Sequence, residues 1–543
     1  MTRTTRRRAF LGATAATGAA VAATGLTAPS AQALGRTAAD AASEVLPGGP
    51  QYGDLVRGVN QRWIGTPDRV VVPHTTEQVV TALRRALDAG ERLAVRGGGH
   101  CFEDFSAHRD VRRLIDLSAM DDIRYDAERR AIRIGAGATL GEVNEQLFKR
   151  WGIALPGGSC PTVGLGGHVT GGGYGPLNRT LGLIVDHLYA VEVVVADEGG
   201  RPRAVVAARD SADPRRRDLW WAHTGGGGGN FGIVTRYWFR SRGLTGRTPQ
   251  ETLPTPPREV LVGTVLWQWA DLDERSFTRL LKNYAAWHVA HNAPGDAQAD
   301  LYSHLAAFHR SGGAVALNIQ VSAARSAAGG PSPEERLDAF VAAVGAGVGA
   351  RGTTVARSRL PWLLSTQWSG FADRPSGKRI KGKSAYHKEP FDDAQAEALY
   401  RGLTRADYRH PGSGVLIAPY GGQVNSVRSA ATALPHRDSA LMLMYVSEWT
   451  DQAEDDLHVG FLRELYESTY ARNGGVPEAG AYINYPDADV RDARRNRSGV
   501  PWYELYYGPN YPELQRIKKA WDPRNVFRHR LSIELPSAAR ATR

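Results

Sequence analysis

The chain's two cysteines each lie in a glycine-rich segment that also carries a histidine. Arg96-Gly97-Gly98-Gly99-His100-Cys101 follows the apolar run Leu93-Ala94-Val95. Gly157-Gly158-Ser159-Cys160 leads through Gly164-Leu165-Gly166-Gly167-His168 to Gly171-Gly172-Gly173-Tyr174-Gly175. Imidazole and thiolate are nucleophiles, and glycine beside them lets backbone approach a ligand closely. Three glycines after a strand can turn successive N–H groups inward as a nest for a diphosphate. The second segment is the stronger signal, with eight glycines between positions 164 and 182. Such a density costs chain entropy on folding and goes with a closely approaching ligand or backbone. A Cys101–Cys160 disulfide, with His100 an ordinary buried histidine, is the plain alternative for the same residues.

Other chemistries lack their residues. Gly135-Ala136-Gly137-Ala138-Thr139-Leu140-Gly141 follows the strand-like run 131–134, but its third glycine comes one position late for a dinucleotide fingerprint. The acid expected about 20 residues further on is missing as well. There is no Gly-x-Ser-x-Gly elbow, no Walker loop and no close His/Glu pair at zinc-ligand spacing, so no metal is expected.

The elements that must carry these residues read as α+β. Runs at 69–73, 93–95, 114–117, 131–134 and 190–195 are strand-like, and 76–89 has helical periodicity ending at Gly90. Residues 34–67 read as a helical lead-in. Gly225 to Gly229, followed by Asn230-Phe231-Gly232-Ile233-Val234-Thr235, is a glycine turn feeding a strand. Around 241–260 Arg, Gly, Thr and Pro dominate, as at a domain boundary. Beyond it helices (276–291, 333–344, 393–403, 455–470) alternate with strands (314–321, 414–419, 440–447), which suits an antiparallel sheet covered on one face by helices. The expected division is 1–33, 34–245, 246–495 and a 496–543 segment that docks back on the first domain.

The start of the chain reads as an export signal. Arg6-Arg7-Arg8 precede a mild apolar stretch, and Ala31-Gln32-Ala33 offers a small-residue cleavage site. This pattern fits the twin-arginine route, which moves folded proteins out of the cell, and leads to an expectation of secretion. Removing four arginines and no acid takes the formal charge from +11 to +7, which needs no nucleic acid to explain it. The densest basic run, 374–388, lacks the interleaved aromatics of a single-strand binder and reads as a solvated loop or strand edge. No stretch is long and apolar enough for a membrane span.

The segments Arg96 to His100 and Gly158-Ser159-Cys160-Pro161-Thr162-Val163-Gly164, running on to Gly175, resemble the flavin-attachment segments of the berberine-bridge-enzyme-like oxidases. These belong to the vanillyl-alcohol-oxidase (PCMH-type) flavoprotein superfamily. Gly225 to Thr235, Lys383-Ser384-Ala385-Tyr386, Tyr482-Ile483-Asn484-Tyr485 and Trp521-Asp522-Pro523-Arg524-Asn525-Val526-Phe527 carry the same likeness, which runs from about residue 60 to 533. Within the family the chain looks closest to bacterial enzymes acting on glycosylated natural products.

The resemblance implies a PCMH-type FAD-binding domain and FAD held by two covalent bonds, His100 to the 8α-methyl and Cys160 to C6. It assigns the flavin surroundings to Arg96, Gly97, Gly98, Gly99, Ser106, Val163, Gly166, Gly167 and His168. Gly172, Gly173, Gly175, Asn230, Gly232, Val234, Asn510 and Asn525 complete that set, and Cys101 receives no role. Next to His100 on extended chain, Cys101 should point to the opposite face. Val163 corresponds to a position that gates dioxygen in plant relatives, where a small residue resembles oxidases. Tyr482 is the leading candidate base and Tyr485 the second. If 482–485 is extended, Tyr482 and Asn484 share a face, and Tyr485 reaches the flavin only through a turn or bulge at Pro486. Tyr386, Tyr420, Asn484 and His387 are weaker candidates for lining a substrate pocket.

The implied activity is oxidation of a secondary alcohol or hemiacetal on a glycoside or free oligosaccharide, with hydride passing to flavin N5 and dioxygen becoming hydrogen peroxide. Two alternatives stay open: a dehydrogenase using another acceptor, and a carbohydrate-binding protein without chemistry.

Overall fold

Short β-branched runs form the strands, and amphipathic runs form the helices that cover them. The structure, a computed structural model, describes residues 42–322, 330–372 and 377–537. The export-signal reading at 1–33 and Arg374 of the basic run lie outside the described residues. The first sheet has four strands, β1 (Ser43–Val45), β2 (Arg69–Val72), β3 (Leu93–Arg96) and β4 (Arg113–Asp116), in the order β1-β2-β4-β3. β4 runs parallel to both β2 and β3. The helical lead-in expected before β2 is absent from residue 42 onward. That stretch holds β1, turns and the four-residue helix Tyr52–Leu55, because its Pro and Gly residues interrupt any helical period.

Thr76–Asp88 is the helix expected there, with the Thr75 hydroxyl accepting from Gln78 N–H as N-cap. It buries Val79, Leu83 and Ala86, one face at helical spacing. β5 (Ile123–Asp126), β6 (Ala131–Gly135), β7 (Leu188–Ala196), β8 (Pro202–Ala208) and β9 (Ile233–Phe239) form an antiparallel sheet in the order β5-β6-β9-β7-β8. The Gly135-Ala136-Gly137 turn leads into the helix Leu140–Trp151, whose start is closed by a Thr139/Glu142 capping box. A Cβ on Gly135 or Gly137 would strike the carbonyl oxygen of Met120 or Leu117. These glycines therefore serve backbone packing.

The third sheet is antiparallel and has seven strands: β10 (Glu259–Gln268), β11 (Leu301–Phe308), β12 (Ala314–Ser322), β13 (Thr353–Pro361), β14 (Arg379–His387), β15 (Ser413–Pro419) and β16 (Leu441–Trp449). Their order is β13-β10-β12-β11-β15-β16-β14. Helices Glu274–Ala290, Pro333–Gly345, Asp393–Thr404 and Asp455–Thr469 share one core with the face that carries Leu301, Leu305, Val415, Ile417, Leu443 and Tyr445. Alternate residues on the same strands, Tyr302, His304, Leu416, Ala418, Met444 and Val446, line a cavity on the other face. This two-residue period turns one sheet into both a helix-backed core and a binding wall.

β14 is an edge strand, but its lysines are not solvated. Lys381 and Lys383 are 3% and 2% exposed and pair with Glu103, Asp487 and Asp489. Three carboxylates converge there, and that makes burial of two ammonium groups tolerable. The C-terminal helix Tyr511–Trp521 joins the core that holds β6, β7 and β9. Fully buried Lys518 donates to Asp522 and to the carbonyls of Asn230 and Phe527. This ties the tail to the glycine turn at 225–229.

Candidate active site

The two glycine segments meet backbone to backbone. A Cβ on Gly98 would strike Gly164 N and come within 2.9 Å of Thr162 O, so only glycine permits the approach. The 161–166 strip is also pinned to the turn before Leu140–Trp151. Leu140 and Gly141 N–H donate to the carbonyls of Val163 and Pro161, and Leu165 and Gly166 N–H to those of Ala138 and Ala136. Together the segments wall a cavity of about 480 Å³ that reaches from β3 to the seven-stranded sheet.

Arg96, Gly97, Gly98, Gly99, His100, Ser106, Cys160, Val163, Gly166, Gly167, His168, Gly175, Asn230, Gly232, Val234, Tyr482, Asn484 and Tyr485 all line this cavity. Arg96 is anchored by Asp116, with Nε 2.8 Å from Oδ2. Cys101 and Cys160 are free thiols, so the disulfide alternative fails. Cys101 lines the same cavity as His100, where the chain is irregular between the bends at 97–98 and 102–104 and not part of a strand. Burial pushes its thiol up to about 12.

His100 Nε2 lies 3.0 Å from Thr162 Oγ1, and Cys160 Sγ lies 3.4 Å from the same oxygen. Burial lowers the His100 pKa to about 4, only partly offset by the Thr162 backbone. His168, also lowered to about 4 by burial, accepts the Gly158 N–H through Nε2 at 3.0 Å. Both imidazoles are neutral at neutral pH, as a nitrogen nucleophile requires.

The residues fit a flavin. A Cβ on Gly167 would meet nothing within 4 Å, so its bare backbone faces open cavity. Neutral imidazole and thiol converge on the same space. When held there, FAD would sit against the 97–99, 164–167 and 227–229 glycines, with His100 and Cys160 as its side-chain partners.

Tyr482 and Tyr485 reach the cavity together because 482–485 is a turn, closed by Tyr485 N–H to Tyr482 O at 2.9 Å. The extended alternative is therefore corrected, and the turn comes before Pro486. Their rings stand 5.2 Å apart, edge to face. Tyr482 Oη accepts from Gly173 N–H and from Asn484 Nδ2, each at 3.0 Å. Burial raises its pKa far above the ordinary value all the same. Tyr485 Oη lies 3.1 Å from Tyr174 Oη. Burial raises Tyr485 less, to about 12, with the Tyr174 hydroxyl opposing the rise.

Several residues expected near the flavin or substrate lie elsewhere. Gly172, at φ +116°, packs against Leu434; Gly173, at φ +67°, packs against Ile184 and His168 and donates its N–H to Tyr482. Asn510 Nδ2 donates to the carbonyls of Ser429, Thr432 and Ala433, pinning that loop to the tail. Asn525 occupies a left-handed turn capped by Asp522, away from the cavity lining. Tyr386 and Tyr420 are buried core aromatics, Tyr386 stacked on His436 with ring centroids 4.3 Å apart. His387 bonds Tyr470.

Tyr174 and Thr162 stand in the glycine motif without an assigned role, although their hydroxyls bond the candidate site residues. Tyr302 and His304, 2.9 Å apart between Oη and Nε2, face the cavity from β11. Their i, i+2 spacing on a strand marks a shared face, but nothing in the sequence says which face.

A glycine-walled cavity that ends in a histidine, a cysteine and a tyrosine cluster defines an FAD-dependent oxidoreductase. Residues 67–199 match the FAD binding domain family, and 481–534 match the family described as berberine and berberine like. Aclacinomycin-N/aclacinomycin-A oxidase of Streptomyces galilaeus is 47% identical, with 98% of each chain covered. Hexose oxidase of Chondrus crispus is 31% identical, over 90% of this chain and 94% of that one. The crystal structure of CrmK, a flavoenzyme of caerulomycin biosynthesis, superposes with a TM-score of 0.88 at 46% identity, covering 91% of this chain and 100% of that one. The chain belongs to the berberine-bridge-enzyme-like FAD-linked oxidases of the vanillyl-alcohol-oxidase superfamily.

Proposed function

We propose that this chain oxidises a secondary alcohol or hemiacetal on the sugar of a glycosylated natural product or oligosaccharide, with FAD joined to both His100 and Cys160. Similarity to an aclacinomycin oxidase and a hexose oxidase supports the substrate class. Bound FAD would supply the hydride acceptor for the carbinol, with dioxygen as the final electron acceptor and hydrogen peroxide as its product. Val163, small and lining the cavity, fits that use of dioxygen.

The observation that carries the proton chemistry is the difference between the two tyrosine oxygens. A phenol oxygen has two acceptor sites. Tyr482 Oη has both filled, by Gly173 N–H and Asn484 Nδ2. It is suited to orient the substrate through its own O–H. Tyr485 Oη has one hydroxyl neighbour, Tyr174, leaving a lone pair toward the cavity. Its pKa is also raised less than that of Tyr482. Tyr485 therefore serves as base in its phenolate form, which Tyr174 stabilises by donating to it; it takes the substrate hydroxyl proton as the hydride leaves and ends as the neutral phenol. Tyr482 moves from leading base to positioning partner in this reading.

The twin-arginine start fits export of a chain already folded around its cofactor. N-terminal sequencing of secreted protein should then begin near Leu34.

The deciding experiment is the visible spectrum of the denatured chain, paired with oxygen uptake. Yellow colour that stays with denatured protein, and is lost only when both His100→Ala and Cys160→Ala are made, is expected. Glycosides and oligosaccharides should consume dioxygen and yield peroxide. A colourless denatured chain refutes double attachment. Reduction of the flavin without reoxidation in air makes the protein a dehydrogenase.

A further inference from the structure

One hydroxyl touches both candidate tethers. Thr162 Oγ1 is 3.0 Å from His100 Nε2 and 3.4 Å from Cys160 Sγ. Its backbone is fixed on both sides by the bonds from Gly141 to Pro161 and from Leu140 to Val163, each 2.9 Å. Thr162 is exposed, whereas His100 and Cys160 line the cavity. The hydroxyl thus belongs to a solvent-exposed residue and touches both side chains that line the flavin site.

We propose that Thr162 positions His100 and Cys160 for bond formation to the flavin and carries their protons out to water. This rests on the bicovalent reading above. Each tether replaces a flavin C–H and a protein N–H or S–H with one C–N or C–S bond. Two protons leave, one from carbon and one from the nucleophile, and two electrons pass through the flavin ring to dioxygen. The nucleophile's proton is the one within reach of Thr162. A hydroxyl accepts one hydrogen bond while donating another, so it can serve sulfur and nitrogen in turn. Without it both side chains lose the hydroxyl contact that orients them.

Thr162→Val keeps the side-chain shape and removes the hydroxyl, and Thr162→Ser keeps the hydroxyl. Purified full-length flavoprotein, digested under denaturing conditions, yields flavin joined to both the His100 and Cys160 peptides, to one, or to neither. Alkylation of the denatured chain counts free Cys160 independently. Wild type and Thr162→Ser should give mainly doubly joined flavin. In Thr162→Val that fraction should fall roughly tenfold, the scale of losing a hydrogen bond to a group that changes charge. Doubly joined flavin at the wild-type level in Thr162→Val overturns the role of Thr162. Wild type with no peptide-bound flavin overturns the bicovalent reading itself, and the role of Thr162 falls with it. If Thr162→Val does not accumulate folded, Thr162→Ala against Thr162→Ser carries the comparison, and equal attachment in those two overturns the proposal.

Discussion

Lys381 Nζ donates to Asp487 Oδ1 at 2.7 Å, two residues beyond the turn that presents Tyr485. The same ammonium lies 3.0 Å from Glu103 Oε1, three residues beyond His100. The segment that holds one candidate tether and the segment that holds the tyrosines are therefore clamped to one strand. Burial alone would lower the Lys381 pKa, but Asp487, Glu103 and Asp489 outweigh it and hold the group charged.

Lys381→Met should be strongly destabilising, because it leaves buried Glu103 without its paired cation and Asp487 with Lys383 alone. Breaking such a pair from one side costs about 3–5 kcal/mol. Denaturant unfolding measures it. A loss below about 1 kcal/mol, the ordinary worth of an exposed pair, would show that the cluster is not the clamp described.

Gly98→Val and Gly164→Val should each lose bound flavin while much of the chain stays folded. At both positions a Cβ runs into the backbone of the other segment, and a few tenths of an ångström of give cannot relieve it. The two strips must separate, taking His100 and Cys160 out of register. The ratio of flavin absorbance to protein absorbance, read beside far-ultraviolet circular dichroism, separates this from global unfolding. Retention of wild-type flavin content in either variant would contradict the close approach.

In the 260–470 region β12, β15, β16 and the four long helices were legible because their periods are regular, near 2 on the strands and 3.6 on the helices, whereas β10, β11, β13 and β14 were not expected as strands. His100, Cys160 and most of the glycines around them were legible for a different reason, since few sequences carry that density of glycine. Lys381 and Lys383 were misjudged as solvated because their carboxylate partners lie about 100 or more residues away in sequence, and only the fold brings them close. The 482–485 turn was missed for a similar cause. Its residues have no strong turn signal before Pro486, and the Gly173 N–H that holds Tyr482 comes from 309 residues away, although Asn484 is a local donor. Asn510 and Asn525 were placed at the flavin by likeness alone, and the backbone carbonyls and turn that occupy them are invisible to a motif.

Acid should destabilise the protein well before its carboxylates titrate. Burial lowers His223 to about 4 and His436 to about 3, and burial likewise lowers His387 to about 4. In the unfolded chain these histidines take protons near pH ~6.5. The unfolded state therefore binds more protons below that value, and stability falls as pH drops from about 6.5 through the folded values near 4. Melting temperature should be flat above about pH 7 and decline steadily toward about pH 4. A melting temperature constant across that interval would refute neutral burial of these rings.

Tyr485→Phe and Tyr482→Phe should damage turnover differently. Removing the Tyr485 hydroxyl takes away the proton acceptor, and general-base loss typically costs about 10²–10⁴-fold in kcat. The flavin should remain attached, because Tyr485 makes its hydrogen bond to Tyr174 and not to either tether. Tyr482→Phe leaves Gly173 N–H and Asn484 Nδ2 without the oxygen they donate to. That leaves the Asn484 amide held by the His168 carbonyl alone, so substrate binding should weaken and KM rise, with a smaller fall in kcat. Tyr174→Phe should fall between them: the base stays, but the donor that stabilises its charge is gone. Single-turnover reduction of the flavin under anaerobic conditions isolates the step in which the proton and hydride leave. A Tyr482→Phe variant whose reduction slows as much as that of Tyr485→Phe would return the role of base to Tyr482.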